Sequence, residues 1–463
     1  MKTIPTLFMA ASVAWLALSC EQHSKQKFDG TPGEVKIMTL DPGHFHAALV
    51  QKTMYPQVDA DVYVFAPQGE DLQMHLKRIQ DFNARTENPT QWNEIVYEGE
   101  DYFKKMLELS PGNVVMLAGN NGVKMDYIEG AIGAGLNVYA DKPMAIDREG
   151  YRMLLESFDK AEKKGVLLYD IMTERYEITN ALQIELSKIP ELFGEAEQGT
   201  TEEPAITIES VHNFFKYVSG VPNIRPEWFF DVKQQGEGIV DVTTHLVDLI
   251  QLTVVGENPI DINKQVALTG ARRWFTTITP SQWQLVTGKS AYPDYLIDHV
   301  VDGALQVYAN GQIDFTLNGI NCRAVVRWNF MAPEGAGDSH YAWIRGTKAD
   351  ISIRQTAAEG YKPQLYITRK GDISEEVFAR NVKETVSKLS EKYPGIEVEP
   401  AGAEWRLVIP SSYDVGHEAH FGQVTEKYLR FLTEGKLPAW EVANMKSKYF
   451  ITTSALEMAL EAQ

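Results

Sequence analysis

The 463-residue chain is longer than one hydrophobic core usually supports, so its length predicts two domains. With 44% hydrophobic and 23% charged residues, its composition is typical of a globular protein and excludes both a disordered chain and a polytopic membrane protein. The formal net charge of −19 argues against a nucleic-acid partner and is compatible with solubility and a neutral substrate.

The first residues have the order of a secretory signal. Lys2 precedes an apolar run that ends in Ser19-Cys20, and the run is too short to span a membrane comfortably. We therefore predict a signal peptide at 1–20, acylation of Cys20 and a polar tether at 21–33. The match to a lipoprotein signal is imperfect, since Ala17 stands where leucine is usual. The predicted location is the periplasmic or cell-surface face of a bacterial membrane, with the lipid anchor as the only membrane contact.

Cys322 is the one other cysteine, so an exported form would contain no disulfide. It lies in a strand-like run, which predicts a buried thiol. A reactive thiol would need a histidine and a positive environment, and the adjacent sequence offers only Arg323.

The first half alternates between strand-like and helix-like segments, which predicts a parallel sheet with right-handed crossovers. The predicted strands and helices are strands at 35–40, 60–66, 114–118 and 137–140, and helices at 71–82 and 125–134.

The first strand-to-helix turn is the expected pyrophosphate site of such a sheet, because a helix N-terminus offers free amides. In a dinucleotide fingerprint, Asp41, Gly43 and His46 would occupy the glycine positions, so only Gly43 is retained. The second strand ends at Ala66 without the acid that binds an adenosine ribose, and no arginine follows it. The sequence favours NAD and does not exclude NADP. The turn residues predicted to bind the cofactor are Asp41, Pro42, Gly43, His44, Phe45 and His46.

The segment at 113–146 resembles the glucose-fructose oxidoreductase and inositol dehydrogenase family, Gfo/Idh/MocA. That family has Ala-x-x-Ala-Gly before a strand and Glu-Lys-Pro after it, and this chain has Ala131, Ala134-Gly135 and Asp141-Lys142-Pro143. The preceding loop departs from the family, with Lys124 at a position that often holds histidine. The resemblance implies that the cofactor also contacts Gly119, Asn120, Asn121, Asp141 and Lys142.

A second motif at 236–248 resembles the family's glycine-rich helix start, with Asp241, His245 and Asp248. Asp241 and His245 are four residues apart, which on a helix places both on one face. Arg175-Tyr176 resembles the family's Arg-Phe at the domain junction, and the similarity extends over most of residues 34–355.

The resemblance implies an α/β protein, with an N-terminal Rossmann dinucleotide-binding domain at 34–176 and a C-terminal α+β domain at 177–463. The second domain is expected to contain a mostly antiparallel open sheet that binds substrate and supports oligomers. Strand-like runs at 205–211, 265–277, 303–308 and 312–317 agree, and Asn310-Gly311 predicts a hairpin between the last two.

The implied reaction is reversible oxidation of a secondary alcohol by hydride transfer to a nicotinamide. In the catalytic set, His245 is the base because its ordinary pKa lies nearest neutrality, Asp241 orients the hydroxyl or the histidine, and Lys142 stabilises charge on the substrate oxygen. The other residues predicted to bind a sugar or glycoside are Arg175, Tyr176, His212 and Trp228.

The aromatic stretch at 212–230 suits a sugar ring, and within it Phe214 and Phe215 are expected to be structural. His417 and His420 are spaced as metal ligands can be, but no further ligand is recognisable, so no metal is predicted. Residues 440–460 are predicted to form a helix that packs against the body.

Three functions remain open. The leading one is a sugar oxidoreductase, such as one that oxidises carbon 3 to a keto-sugar, with a tightly held cofactor suited to export. The second is an NAD-dependent glycosidase that works by transient oxidation and elimination. The third is a non-catalytic, lipid-anchored carbohydrate-binding protein, which the degenerate phosphate turn would allow. A homo-oligomer is also expected.

Overall fold

The computed structural model describes residues 27–218 and 221–462. The predicted signal peptide, Cys20 and residues 21–26 of the predicted tether lie outside these ranges. Phe28, near the end of that tether, is 5% exposed and packs into the core of the first domain, so packing begins before residue 34. No helix in the described ranges is long and apolar enough to cross a membrane.

The first domain is a parallel sheet flanked by helices. Its strands pair in the order β3-β2-β1-β4-β5-β6, which is the doubly wound dinucleotide-binding arrangement. The strands are β1 (Ile37–Leu40), β2 (Asp61–Ala66), β3 (Asn93–Glu98), β4 (Val114–Leu117), β5 (Asn137–Asp141) and β6 (Leu168–Ile171). The helices are α1 (His46–Leu49), α2 (Glu70–Ala84), α3 (Tyr102–Leu109), α4 (Lys124–Gly133) and α5 (Arg148–Lys164).

Four strands of this sheet were predicted from the sequence, but the edge strand β3 was not. The four predicted strands are confirmed within one or two residues as β1, β2, β4 and β5. In contrast, β3 was not predicted, because it lies at the sheet edge and its residues are polar or partly exposed.

The second domain is a mixed, mostly antiparallel sheet, in which only β7 and β13 pair in parallel. Its strands in the described ranges are β7 (Ile206–Phe215), β8 (Tyr217–Val218), β9 (Val221–Pro222), β10 (Val266–Ile278), β11 (Val300–Val301), β12 (Ala304–Leu317), β13 (Ile320–Met331), β14 (Ser339–Arg345), β15 (Ala349–Arg354), β16 (Gln364–Arg369), β17 (Glu397–Ala401) and β18 (Glu404–Val408). The large sheet has the order β10-β12-β13-β7-β14-β15-β16-β18-β17, with β11 beside β12, and β8 pairs separately with β9.

Helices cover one face of this sheet and return to the first domain. They are α6 (Ile178–Ser187), α7 (Val232–Gln235), α8 (Thr243–Val254), α9 (Ile262–Gln265), α10 (Pro280–Thr287), α11 (Glu375–Lys392), α12 (His417–Glu434) and α13 (Ala439–Glu461). Short 3-10 turns occur at Thr173–Tyr176, Glu227–Phe230, Asp294–His299, Ala357–Glu359 and Ser411–Tyr413.

The predicted hairpin at Asn310-Gly311 is wrong. Both residues lie inside the continuous strand β12, and the turn between β12 and β13 is the next Asn-Gly, Asn318-Gly319, where both φ angles are positive. Asn310 instead uses its side chain at an irregularity in the pairing of β10 with β12, donating to the carbonyl of Trp274 and accepting from the amide of Trp328.

The C-terminal helices join the two domains. Phe421 and Tyr428 of α12 are each 1% exposed and belong to the core of the first domain. Helix α13 contributes Tyr449 to that core and Ile451 to the core of the second domain. The predicted terminal helix is therefore confirmed, and it spans both cores.

Candidate active site

The turn after β1 packs tightly against the chain that follows β4. The amide of Gly43 donates to the carbonyl of Asp41 at 2.8 Å, and the amide of His44 donates to the carbonyl of Ala118 at 3.0 Å. Asp41 has a φ of 49°. A Cβ on Gly119 would lie 2.2 Å from the Asp41 carbonyl oxygen, so this close approach requires glycine at 119.

Trp228 lies against the turn after β1. A Cβ on Gly43 would lie 3.1 Å from Cζ2 of Trp228 and 3.1 Å from Oδ2 of Asp71. The Trp228 indole donates to that Asp71 oxygen at 2.8 Å. Trp228 was predicted to contact substrate. In this structure the 3-10 turn that carries it places the indole against the turn after β1.

A first cavity of about 360 Å³ opens at the carboxyl ends of β1 and β2. Asp41 and Ala66 line it from the first domain, while Trp228 and Tyr295 line it from the second. Burial raises the pKa of Asp41, although a hydrogen bond from Tyr127 partly offsets this. This cavity has the position in which doubly wound sheets bind the adenosine half of a dinucleotide.

A second cavity of about 500 Å³ lies between the two domains and brings together the three predicted catalytic residues. Lys142 follows β5, Asp241 precedes α8, and His245 is on α8. The Lys142 ammonium donates to Oδ1 of Asp241 at 2.6 Å, and Gln235 donates to Oδ2 at 3.0 Å. Both partners of the ion pair are nearly buried, with side chains 10% and 7% exposed.

His245 lines the same cavity, but within the described residues no hydrogen bond joins its Nδ1 to Asp241. Its Nδ1 has no hydrogen-bond partner within the described part of the chain. Burial, and then the charge of Lys142, lower the pKa of His245 well below its usual range. The imidazole is therefore neutral at neutral pH and can accept a proton, but its pKa is not the near-neutral value on which the prediction of a base was founded.

His212 lines the second cavity, as predicted for a substrate contact. Its ring stacks on Trp328 with the centroids 5.0 Å apart, and Nε2 forms a 2.6 Å hydrogen bond with Ser210. Nδ1 lies 3.4 Å from Asp338, which also accepts from Lys216 at 2.6 Å. These contacts fix the plane of the His212 ring at the cavity wall.

Glu174 is a cavity residue that the sequence analysis missed. It lines the second cavity, where burial and then the neighbouring Glu177 raise its pKa to about 7. A carboxyl group with a pKa this close to neutrality can take or give a proton at physiological pH. In the sequence, Glu174 is marked only by its position directly before Arg175-Tyr176, and the prediction named those two residues instead.

Arg175 and Tyr176, which were predicted as substrate contacts, do not line the second cavity. They line a separate groove, and the Arg175 guanidinium is buried in an ion network. It donates to both oxygens of Asp248, at 2.5 and 2.7 Å, and to Glu441 at 2.8 Å. Asp248 also accepts from Lys448 at 3.1 Å, so it braces α8 against α13.

The loop after β4 joins the domains. The Asn120 side chain donates to the Gln234 side chain at 2.9 Å, and the Asn121 side chain donates to the Gln235 carbonyl at 2.8 Å. These amides were predicted to contact cofactor. In this structure they hold the segment that leads to Asp241.

His44, His46 and Asp141 form a compact cluster at the edge of the second cavity. Nδ1 of His46 lies 2.9 Å from Oδ2 of Asp141, and Nδ1 of His44 lies 3.7 Å from the same oxygen. His417 lines the cavity beside them, with its ring centroid 5.4 Å from that of His46. His420, its predicted companion, does not line this cavity.

The remaining predictions concern packing. Cys322 is 1% exposed, and burial raises the pKa of its thiol, which argues against a nucleophile. Phe214 and Phe215 are 1% and 5% exposed, so they are structural as expected.

Comparison with solved structures identifies a homologous chain. A "putative oxidoreductase" from Parabacteroides merdae ATCC 43184 is 52% identical, with a TM-score of 0.93, over 95% of this chain and all of that one. Levoglucosan dehydrogenase in complex with NADH and levoglucosan is 12% identical, with a TM-score of 0.60, over 93% of this chain and 98% of that one. An oxidoreductase of the same description from Erwinia carotovora atroseptica is 13% identical, with a TM-score of 0.58, over 92% and 98%. The last two share the fold.

The comparison with curated proteins finds no match. Among family models, the one described as "Putative oxidoreductase C terminal domain" matches residues 182–460, which is more than half of the chain. This match covers the sheet of the second domain and the helices that return to the first. The protein therefore belongs to this oxidoreductase family.

Proposed function

We propose that the protein is a nicotinamide-dinucleotide-dependent oxidoreductase that acts on a secondary hydroxyl group of a sugar or glycoside. The observation that carries the proposal is the Lys142–Asp241 ion pair. It lies at the carboxyl edge of a doubly wound sheet, in a cavity that two domains enclose. The NADH and levoglucosan bound by a protein of the same fold are compatible with this choice.

The residues present fit such a cofactor. The first cavity has the position for the adenosine half, Gly43 has no side chain in the turn after β1, and the second cavity begins at Lys142. In this fold the pyrophosphate passes over the glycine of the first turn, so binding requires the Trp228 indole to move away from Gly43.

A bound nicotinamide supplies the acceptor or donor of a hydride. The protein's own groups manage the substrate oxygen and its proton. Lys142 presents a cationic donor that would stabilise an alkoxide as it forms, and Asp241 holds that donor in place. We assign His245 as the proton acceptor, because its neutral imidazole faces the same cavity.

The second cavity also suits a sugar in shape and polarity. His212 and Trp328 present stacked ring faces, while Lys216, Asp338 and Glu174 offer charged groups for hydroxyls. Mixed aromatic and polar walls are typical of sites that bind a ring with one apolar face. These contacts support the sugar assignment over a purely apolar alcohol.

A fluorescence titration tests the cofactor half of the proposal. NAD⁺, NADH, NADP⁺ and NADPH are added to the purified protein, and tryptophan emission is followed. We expect a saturable change for one cofactor pair, because the Trp228 indole must leave Asp71. Trp228→Phe should lose most of that change, whereas Trp405→Phe on β18 serves as the matched control.

Acid extraction of the untreated protein, with mass spectrometry, detects a cofactor that is already bound. If neither extraction nor titration reveals binding, the proposal is wrong.

A further inference from the structure

His44 and His46 form a His-x-His pair directly after β1, and Asp141 is the last residue of β5. Because the carboxyl ends of parallel strands meet at one edge of the sheet, the fold brings these residues together at the second cavity. His46 and Asp141 are 8% and 4% exposed, while His44 is partly open to the cavity. The cluster therefore has two buried members and one accessible member.

The spacing of the three side chains suits a single metal ion. One ligand atom from each residue lies within 4.8 Å of the others. Oδ2 of Asp141 lies 2.9 Å from Nδ1 of His46 and 3.7 Å from Nδ1 of His44. With metal–ligand bonds near 2.1 Å, two ligands of a tetrahedral ion lie about 3.4 Å apart, a value between these two distances.

We propose that His44, His46 and Asp141 bind one divalent transition-metal ion. Two imidazoles and one carboxylate are a ligand set for Zn²⁺ or Fe²⁺, whereas Mg²⁺ and Ca²⁺ prefer oxygen ligands. Three protein ligands leave at least one coordination position free, and His44 places that position towards the cavity.

Neighbouring residues hold the ligands in place. The backbone carbonyl of Asp141 accepts from the buried Lys124 ammonium at 2.8 Å. The His46 ring packs against Phe421 of α12, with the centroids 4.6 Å apart. Ligands that are already ordered before binding lose less entropy when the metal arrives.

The charge of the cavity favours a bound cation. Its wall has five carboxylates but only three permanent cations, and Asp141 adds a further carboxylate at its edge. The carboxylates are Glu174, Glu177, Asp241, Asp338 and Glu418, and the cations are Lys142, Lys216 and Arg225. Glu174 has a pKa of about 7 and Glu418 pairs with Lys52, so the net excess of negative charge is small, and one divalent ion would offset it.

The free position of the metal would bind an oxygen of the molecule in the second cavity, such as a hydroxyl or carboxylate oxygen. A metal at this place polarises that oxygen as a Lewis acid. The inference does not depend on a nicotinamide cofactor, because the three ligands belong to the protein and their spacing is independent of hydride transfer.

Metal binding is tested with Co²⁺ as the probe, on tag-free protein first dialysed against a chelator. Co²⁺ is added stepwise, its visible absorption bands are recorded, and bound metal is counted by mass spectrometry. We expect about one Co²⁺ per chain, with bands that indicate nitrogen and oxygen ligands. The variants His44→Gln, His46→Gln and Asp141→Asn should each weaken binding by at least about 100-fold.

The matched control is His420→Gln on the same helix as His417, which should bind Co²⁺ like the wild type. Circular dichroism confirms that each variant is folded. If the wild type binds no Co²⁺, the His46–Asp141 contact is an ordinary hydrogen bond and the inference is wrong. Equal binding by the wild type and a folded ligand variant would place the metal elsewhere and would also overturn it.

Discussion

The Lys142 ammonium and the Asp241 carboxylate face each other across the domain junction at 2.6 Å. Lys142→Met removes the cationic donor while retaining the aliphatic stem. We expect turnover of a sugar substrate to fall by roughly 10²–10⁴-fold, because no other group replaces the charge on the substrate oxygen. Steady-state kinetics measure this loss. Lys264→Met, at an exposed lysine, is the control, and turnover within about threefold of wild type in Lys142→Met would rule out the assigned role.

Glu174 gives a prediction for stability against pH. Its pKa in the folded protein is about 7, against 4.5 for an ordinary glutamate. The folded state therefore binds the proton more tightly than the unfolded state, and this stabilising contribution is lost as pH rises from about 4.5 to about 7. Glu174→Gln should abolish that loss. Relative to wild type, the variant should gain about 1–3 kcal/mol between pH 5 and pH 8 in urea unfolding.

The control for this measurement is Glu391→Gln, at an exposed glutamate. Its difference from wild type should stay nearly constant over the same pH range. If Glu174→Gln also showed a constant difference, the carboxyl group would have an ordinary pKa and no special role in proton transfer.

Several side chains at the site could not be placed from the sequence. The motifs indicated Lys142, Asp241 and His245, and the structure brings all three to one cavity. The surroundings of Arg175 and Trp228 could not be predicted, because their partners Asp248 and Asp71 are 73 and 157 residues away. Long-range partners of this kind depend on how helices and domains pack, which local patterns do not reveal.

Among the helices, α8 and α13 are connected by buried charges. Arg175 donates to Asp248 and Glu441, and Lys448 donates to Asp248 and lies 2.7 Å from Asp170. Arg175→Met should lower the free energy of unfolding by about 3–5 kcal/mol, because it removes the guanidinium from two buried carboxylates. Asp248 would then keep only Lys448 as a cationic partner, and Glu441 only Lys427. Urea unfolding measures this value.

The comparison variant is Arg152→Met, whose exposed pairs with Glu149 and Glu156 should contribute less than about 1 kcal/mol. Equal losses in the two variants would show that the buried network adds no more than a surface ion pair.

Gly238, three residues before Asp241, lies in tight contact with the main chain of Ala309. A Cβ on Gly238 would lie 1.7 Å from the Ala309 carbonyl oxygen. Gly238→Ala should therefore destabilise the protein by at least about 1–3 kcal/mol and should disturb Asp241. Gly133→Ala in α4 meets nothing within 4 Å and should be neutral or slightly stabilising. Thermal unfolding of the pair measures the contrast, and similar melting temperatures would contradict it.

Two of the Asn-Gly pairs, Asn310-Gly311 and Asn318-Gly319, show where sequence patterns succeed and fail. Both fit a hairpin turn, but only Asn318-Gly319 forms one. At Gly311 the glycine is needed for another reason, since a Cβ there would lie 2.5 Å from Cβ of Ile239. The same residue type thus serves turn geometry in one place and close packing in the other, and only the tertiary structure distinguishes them.

At the scale of the whole molecule, the functional cavities depend on both domains. The doubly wound sheet and the mostly antiparallel sheet were predicted from the alternating segments and from the family resemblance. The packing of α13 against the body was predicted, but α12 and its return to the first domain were not. These helices bring His417 to the second cavity and contribute to both hydrophobic cores. The candidate site is thus completed by residues far from either sequence motif.

We propose that hydride passes between a sugar carbon and a nicotinamide in the second cavity. To test this, the protein is mixed with NAD⁺ or NADP⁺ and a panel of free sugars and glycosides, and absorbance is recorded near 340 nm. We expect the reduced-nicotinamide band to grow with at least one sugar and to be lost in Lys142→Met. No band from any sugar, in protein that binds the cofactor, would contradict it.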